Sequence, residues 1–339
     1  MKTIQYFVLS ILLISAVSCE KTFFEPEPGT DPVSIFEQFW GTYDTDYALF
    51  DERGVDWDEI YATYRPRVSD QTTDEELYNI LKEMLSGFND SHIKFTVPGK
   101  QIYTPNLYYG TRLEDELFDM EVIRDNYFTK DAIEYDGGWV VTSWIGDVAY
   151  MWFKGVGSGF LSFNTMLDGF SDASSLIIDL RHNGGGDLTF LSEIGRLTDK
   201  KRLTHRSQTK NGPGRNDFDE WFEWYFTPAG EYFDKPLVLL TDRYTVSAGE
   251  RFTMYLKTLP NLMHMGDTTN GALSSMIGKE LSNGWYFTIC PQNIEFVDGK
   301  SYEGIGLIPD RIVENSLEEM SAGIDSQLEA ALTYLQTMN

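Results

Sequence analysis

With only two cysteines in 339 residues, Cys19 and Cys290, the chain cannot build an intrachain disulfide framework. Basic residues are scarce as well: 27 Lys and Arg stand against 53 Asp and Glu, for a formal charge of −26. That balance excludes nucleic acid as a partner, because such binding relies on Lys and Arg neutralising phosphates. After residue 18 no apolar run is long enough to span a bilayer. Histidine occurs four times, and no internal repeat is found. What the chain does have is apolar and aromatic mass, with 22 Phe, 19 Tyr and 8 Trp, enough for a sizeable core.

The first residues, MKTIQYFVLSILLISAVSC, carry one lysine, an apolar stretch from Ile4 to Val17 and small residues before Cys19. Residues 1–18 therefore read as a secretory signal. The segment Ala16-Val17-Ser18-Cys19 resembles a bacterial lipoprotein box, in which the cysteine is lipidated and becomes the mature first residue. The alternative is ordinary cleavage with Cys19 incidental, but that would leave an unpaired, exposed thiol. Lipidation places the protein in the bacterial cell envelope, held to a lipid bilayer through Cys19 and facing the periplasm or the cell surface. Residues 19–32, with three prolines and several acids, form an extended tether.

Residues 33–90 read as a helical domain. Thr73 with Glu76 is a capping-box signature, and Leu77, Ile80, Leu81, Met84, Leu85 and Phe88 follow as an apolar stripe. From 91 to 339 strands and helices alternate, which indicates an α/β domain. The spacing predicts strands at 147–153, 175–180, 237–241 and 285–289, and helices at 188–197 and 324–336. Residues 200–232 are charged and aromatic without a period, and read as a lid-like insertion.

Four short segments carry the chemistry. Ser247, in TDRYTVSAGERF, stands between a strand-like and a helix-like run, where a serine is either a presented nucleophile or a helix cap. In LIIDLRHNGGGD a buried strand ends in Gly184-Gly185-Gly186 before a helix, a geometry suited to an oxyanion or a phosphate. A phosphate-binding P-loop would need a Gly-Lys-Ser/Thr end, which Asp187-Leu188 does not supply; a plain flexible turn is the alternative. His92 lies in GFNDSHIKF and Glu303 in YEGIGLIPD. Singly, each is an ordinary structural residue; together they are the parts of acyl transfer.

The order and local sequence of these segments, over roughly residues 35–335, resemble the tail-specific (C-terminal-processing) serine peptidase family. The resemblance implies that Ser247 of Ser247-Ala248-Gly249-Glu250 is the nucleophile and that Asp179-Leu180-Arg181-His182-Asn183-Gly184-Gly185-Gly186 is the oxyanion segment. Most bacterial members use a lysine about 25 residues past the serine, where this chain has Ala272. The tricorn-core branch instead uses a Ser-His-Ser-Glu tetrad, which here matches Ser91-His92 and Glu303 of Glu303-Gly304-Ile305-Gly306-Leu307-Ile308-Pro309-Asp310.

The implied fold is a crotonase-like (ββα-superhelix) α/β core with an N-terminal helical cap. Only about 50 residues separate His92 from the strand at 147, too few for the PDZ domain many relatives carry. The implied activity is hydrolysis of peptide bonds in exported proteins or peptides, with no metal or cofactor. Ser247 attacks, His92 is the base, Ser91 orients the imidazole, Glu303 holds Ser91, and the N–H groups of Gly185 and Ala248 form the oxyanion hole, with the choice among Gly184, Gly185 and Gly186 left open. Glu303 is expected to raise the pKa of His92. Asp179 and Arg181 are expected to support the glycine loop. A binding role for peptides or hydrophobic ligands on the same fold is the alternative, as is a lipoprotein scaffold with a relict site; retention of all four polar residues argues against both.

Overall fold

The structure, a computed structural model, describes residues 28–105, 115–157 and 163–338. The signal segment, Cys19 and most of the tether lie outside the described residues.

Four helices open the described chain: α1 (Pro32–Asp46), α2 (Phe50–Arg53), α3 (Trp57–Tyr64) and α4 (Asp74–Leu85). Asp31 caps α1 by accepting the N–H of Ser34 at 3.0 Å, with Pro32 at the first turn where its missing N–H costs nothing. The α4 box closes in both directions: Thr73 Oγ1 accepts Glu76 N–H at 3.3 Å, and Glu76 Oε2 accepts Thr73 N–H at 2.8 Å. Its whole apolar stripe, Leu77 to Phe88, is buried. The helices do not close this core alone. Trp285, Phe287 and Ile289, from late in the chain, complete it with Phe36, Phe39, Tyr43 and Trp57. Phe287 and Ile289 belong to β11 (Tyr286–Ile289), the centre of an antiparallel sheet with β1 (Phe95–Thr96) and β10 (Ile277–Glu280). The cap is therefore welded to the core by a strand from the other end of the sequence.

The main sheet has seven strands in the order β13-β9-β8-β5-β4-β3-β2. Their ranges are β2 Ile133–Tyr135, β3 Val140–Ile145, β4 Val148–Phe153, β5 Ser175–Asp179, β8 Leu237–Thr241, β9 Leu262–Gly266 and β13 Arg311–Ile312. The run from β4 to β13 is parallel, and β3 and β2 are antiparallel. Strands β5 and β8 are buried along their length, as parallel strands covered on both faces must be. Their side chains alternate: Leu176, Ile178, Leu237 and Leu239 face α7 (Ala248–Leu256), while Ile177, Val238 and Leu240 face the last helix, α9 (Ser326–Gln336). Before α7 in sequence come α5 (Met120–Asn126) and α6 (Phe163–Asp168), and between α7 and α9 comes α8 (Leu317–Ser321).

Asp179 and Arg181 do support the loop after β5. The buried Arg181 guanidinium holds Asp179 through Nε at 2.9 Å and Asp325 through Nη1 at 2.8 Å, tying the end of β5 to the N-cap of α9.

Two expectations are corrected. Residues 188–197 form two 3₁₀ turns, Leu188–Ser192 and Gly195–Leu197, rather than one helix. Residues 200–232 are not an irregular lid: β6 (Arg202–Thr209) and β7 (Phe222–Phe226) pair with each other, and β6 with β12 (Gln292–Phe296), in a third sheet. The period-2 signal was hidden because the buried positions of β6 are the polar Thr204, His205 and Ser207. The described part of 97–147 is spent on one 3₁₀ turn, α5, β2 and β3, the last two edging the main sheet. Among the described residues no helix is long and apolar enough to cross a membrane.

Candidate active site

The chain turns sharply between β8 and α7. Asp242 builds the turn, its Oδ1 accepting the N–H groups of Tyr244 at 2.9 Å and Thr245 at 3.1 Å. Ser247 follows with φ 61° and ψ −120°, a conformation that costs a non-glycine residue about 1–3 kcal/mol. Its N–H is held by Ala272 O at 3.1 Å and Glu250 Oε2 at 3.2 Å. The serine stands at the N-cap of α7 and lines a cavity, so the cap position and the presented position are one and the same. Buried Glu250 anchors the assembly from below, also taking Thr269 Oγ1–H at 2.6 Å and the N–H groups of Gly271 and Ala272 at 2.8 Å.

The glycine loop lies against this turn. Asn183 organises it: Nδ2 donates to Phe153 O at 2.7 Å, and its carbonyl accepts Val246 N–H at 3.1 Å. At Gly185 (φ 81°) a Cβ would come within 2.7 Å of Ser247 Cβ; at Gly186 (φ 147°) it would come within 1.6 Å of Val156 O. Only glycine fits either place. The N–H of Gly185, expected in the oxyanion hole, donates instead to Asn183 Oδ1 at 2.9 Å, and that of Gly184 goes to Lys154 O at 3.0 Å. For the N–H of Gly186 no acceptor is found among the described residues. The N–H of Ala248, at the first position of α7, has no intrahelical acceptor. Both residues line the cavity with Ser247.

His92 reaches the same cavity from the loop between α4 and β1. Its N–H donates to Asp90 Oδ1 at 2.9 Å and its carbonyl accepts Thr288 Oγ1–H at 2.5 Å, so the loop is fixed to β11. Nδ1 is sealed from solvent without a hydrogen-bond partner, which leaves Nε2 for the cavity. Burial lowers the imidazole pKa to about 4, and the neighbouring Asp90 carboxylate only partly opposes this. The expected upward shift is therefore reversed, because desolvation, helped by Arg53, Lys94 and Arg251, outweighs Asp90. Asp90 is itself fully buried; burial alone would raise its carboxyl, but Arg53 and His92 hold it below the usual range.

Ser91 Oγ donates to Asn270 Oδ1 at 2.7 Å. Glu303 accepts the N–H groups of Leu273 at 3.1 Å and Ser274 at 2.5 Å, and Arg53 Nη2–H at 2.9 Å. Burial pushes its carboxyl up to about 8 despite Arg53. Ser91 and Glu303 are thus bound to opposite ends of the 270–274 loop rather than to each other. The remaining histidines have other duties: His182 meets Asp242, His205 meets Arg251 and His264 meets Thr241.

Two cavities flank Ser247, of about 310 Å³ and 590 Å³, and both are lined by His92, Gly186, Ser247 and Met276. Sequence reasoning missed Asp90, Arg53 and Asn270. Asp90 was legible in principle, two residues before His92; Arg53, far away in the cap, left no local signal. Asp90, His92 and Cys290 each bring one metal-ligating atom within 4.8 Å of the others. Arg53 Nη2 lies 3.7 Å from Asp90, however, and its charge opposes a cation there.

A strand-to-helix serine elbow beside a histidine, on an α/β core with a helical cap, defines a serine peptidase architecture. The chain belongs to peptidase family S41, whose family model matches residues 145–313, and the tricorn protease C1 domain model matches residues 28–86. Among solved structures, it is similar to a candidate peptidase from Parabacteroides merdae ATCC 43184, with 29% identity and a TM-score of 0.81 over 91% of this chain and 97% of that one. Mature CPAF shares the fold at 11% identity and a TM-score of 0.64, covering 90% of this chain and 95% of its own. The tricorn protease does so at 17% identity and a TM-score of 0.53, over 90% of this chain and 36% of tricorn.

Proposed function

We propose that the chain is a serine endopeptidase of the tail-specific type, in which Ser247 is the nucleophile and His92 the general base. The observation that carries this reading is the meeting of Ser247, His92, Gly186 and Ala248 at one cavity. Ser247 Oγ attacks a peptide carbonyl as its proton passes to His92 Nε2. The oxyanion accepts hydrogen bonds from Gly186 and Ala248, and collapse of the tetrahedral species breaks the C–N bond as His92 returns the proton to the leaving amine. Water then hydrolyses the ester by the same route. Ser91 and Glu303 act as positioning residues through the 270–274 loop, and Asp90 supplies the negative charge nearest the imidazolium that forms.

A lipidated Cys19 would hold the enzyme to a membrane of the cell envelope, with exported proteins or peptides as substrates. Labelling with a fluorophosphonate probe tests the central claim. An activated Ser247 reacts and Ser247→Ala does not; failure of the folded wild type to react favours a ligand-binding role.

A further inference from the structure

Arg251 lies one turn into α7 from Ser247 and is 2% exposed, yet it lines the 310 Å³ cavity with Ser247 and His92. Its hydrogen-bond partners are neutral. Nε donates to Leu273 O at 2.8 Å, and Nη1 donates to His205 Nε2 at 2.5 Å. To accept that bond His205 must be uncharged, with its proton on Nδ1 facing Thr204 Oγ1 at 3.0 Å; burial and Arg251 together depress its pKa in agreement. The nearest carboxylates are engaged elsewhere, Glu303 by Arg53 and two amides, and Glu250 by Thr269, Gly271, Ala272 and Ser247. Asp187 also lines the cavity, but it is exposed and its Oδ1 accepts Thr189 N–H at 2.9 Å.

The second terminal nitrogen, Nη2, has no acceptor among the described residues. A guanidinium so deeply buried normally meets a carboxylate, since an unpaired buried charge is costly. Burial drags the Arg251 pKa down to about 10, against the opposing pull of Glu303 and Glu250, neither of which is hydrogen-bonded to it. Leu188, Leu273 and Met276 also line the cavity, beside Ser274 and Ser275, and suit an aliphatic stem.

Resting on the peptidase reading, we propose that Arg251 determines specificity by receiving a carboxylate of the substrate beside the scissile bond. The carboxylate comes from an acidic side chain flanking that bond or from the substrate's own C-terminus. Either would accept the hydrogen bond that Nη2 leaves unmade, and would seat the peptide carbonyl over Ser247.

The test is a set of fluorogenic peptides, alike except for Glu or Gln at each position flanking the scissile bond, each made with a C-terminal acid and a C-terminal amide. Wild type is expected to prefer a carboxylate by about 10- to 100-fold in kcat/KM, as a charge-assisted hydrogen bond implies. Preference for Glu in amidated peptides identifies the side chain, and preference for the free acid alone identifies the tail. Arg251→Met should erase the preference and Arg251→Lys should keep part of it; fluorophosphonate labelling of Ser247 reports whether the centre is assembled in each. Equal rates for all members with wild type overturn the proposal, as does an undiminished preference in folded Arg251→Met. The wild-type series decides alone if the variants do not fold. If wild type cleaves no peptide and Ser247 is not labelled, the peptidase reading has failed separately. Calorimetric binding of the same peptides to wild type then reads the carboxylate preference directly, and parity there overturns it.

Discussion

Arg53 in the helical cap and Glu303 near the end of the chain form a buried ion pair, Nη2 to Oε2 at 2.9 Å. The same guanidinium donates to Asn89 O and Gly271 O, both at 2.8 Å. One side chain therefore fixes the loop that carries His92, the loop that receives Ser247 N–H, and the acid between them.

Removing Arg53 should disable the enzyme and destabilise it together. Arg53→Met leaves Glu303 and Asp90 buried without their cation, a loss of about 3–5 kcal/mol for a broken buried pair. Arg53→Lys should recover little, since a single ammonium cannot reproduce the planar fork that spans both carbonyls and the carboxylate. Urea unfolding checks this. A change below about 1 kcal/mol for Arg53→Met, the range of an exposed pair, would show that the clamp is not structural.

The assignment of base and nucleophile is tested by substitution. Ser247→Ala should abolish peptide hydrolysis with the fold intact, because loss of a nucleophile costs several orders of magnitude. His92→Ala and His92→Gln should be almost inactive, and Ser91→Ala and Glu303→Ala impaired. Lys279→Ala should stay active: Lys279 Nζ is paired with Asp46 Oδ2 at 2.6 Å on the cap. An active His92→Ala together with an inactive Lys279→Ala would falsify the assignment of the base.

Much of this was written locally. The capping box of α4, the buried runs of β5 and β8 and the Ser247 turn each depend on neighbours in sequence, so periodicity and cap chemistry reveal them. The parts that stayed hidden depend on distant partners. β11 completes the cap's core, the polar inner face of β6 is explained only by Arg251 and Trp224 against it, and Arg53 matters only because Glu303 folds back beside it. That the Gly185 N–H is already taken turns on one side chain, Asn183 Oδ1, which no glycine count discloses.

The Cys19 anchor is tested by fractionation. Acyl chains hold a protein by burying methylenes at about 0.8 kcal/mol each, so Cys19→Ala should move the protein from membrane to soluble fractions. Identical soluble behaviour of wild type and variant would dismiss lipidation at this residue while leaving the peptidase proposal untouched.

The pH profile separates a buried histidine from an ordinary one. His92 must be neutral to accept the Ser247 proton, so activity is lost as pH falls through its pKa. An unperturbed imidazole would place that loss near 6.5. Burial stabilises the neutral form and lowers the value to about 4, so the acid limb of kcat/KM, which reports the free enzyme, should lie well below 6. Asp90→Asn removes the carboxylate that opposes the downward shift, and should move the limb lower still while reducing kcat through the less stabilised imidazolium. A wild-type limb at or above 6.5 would mean that the acids around His92 outweigh its burial, and an Asp90→Asn limb shifted upward would remove Asp90 from the account of the base.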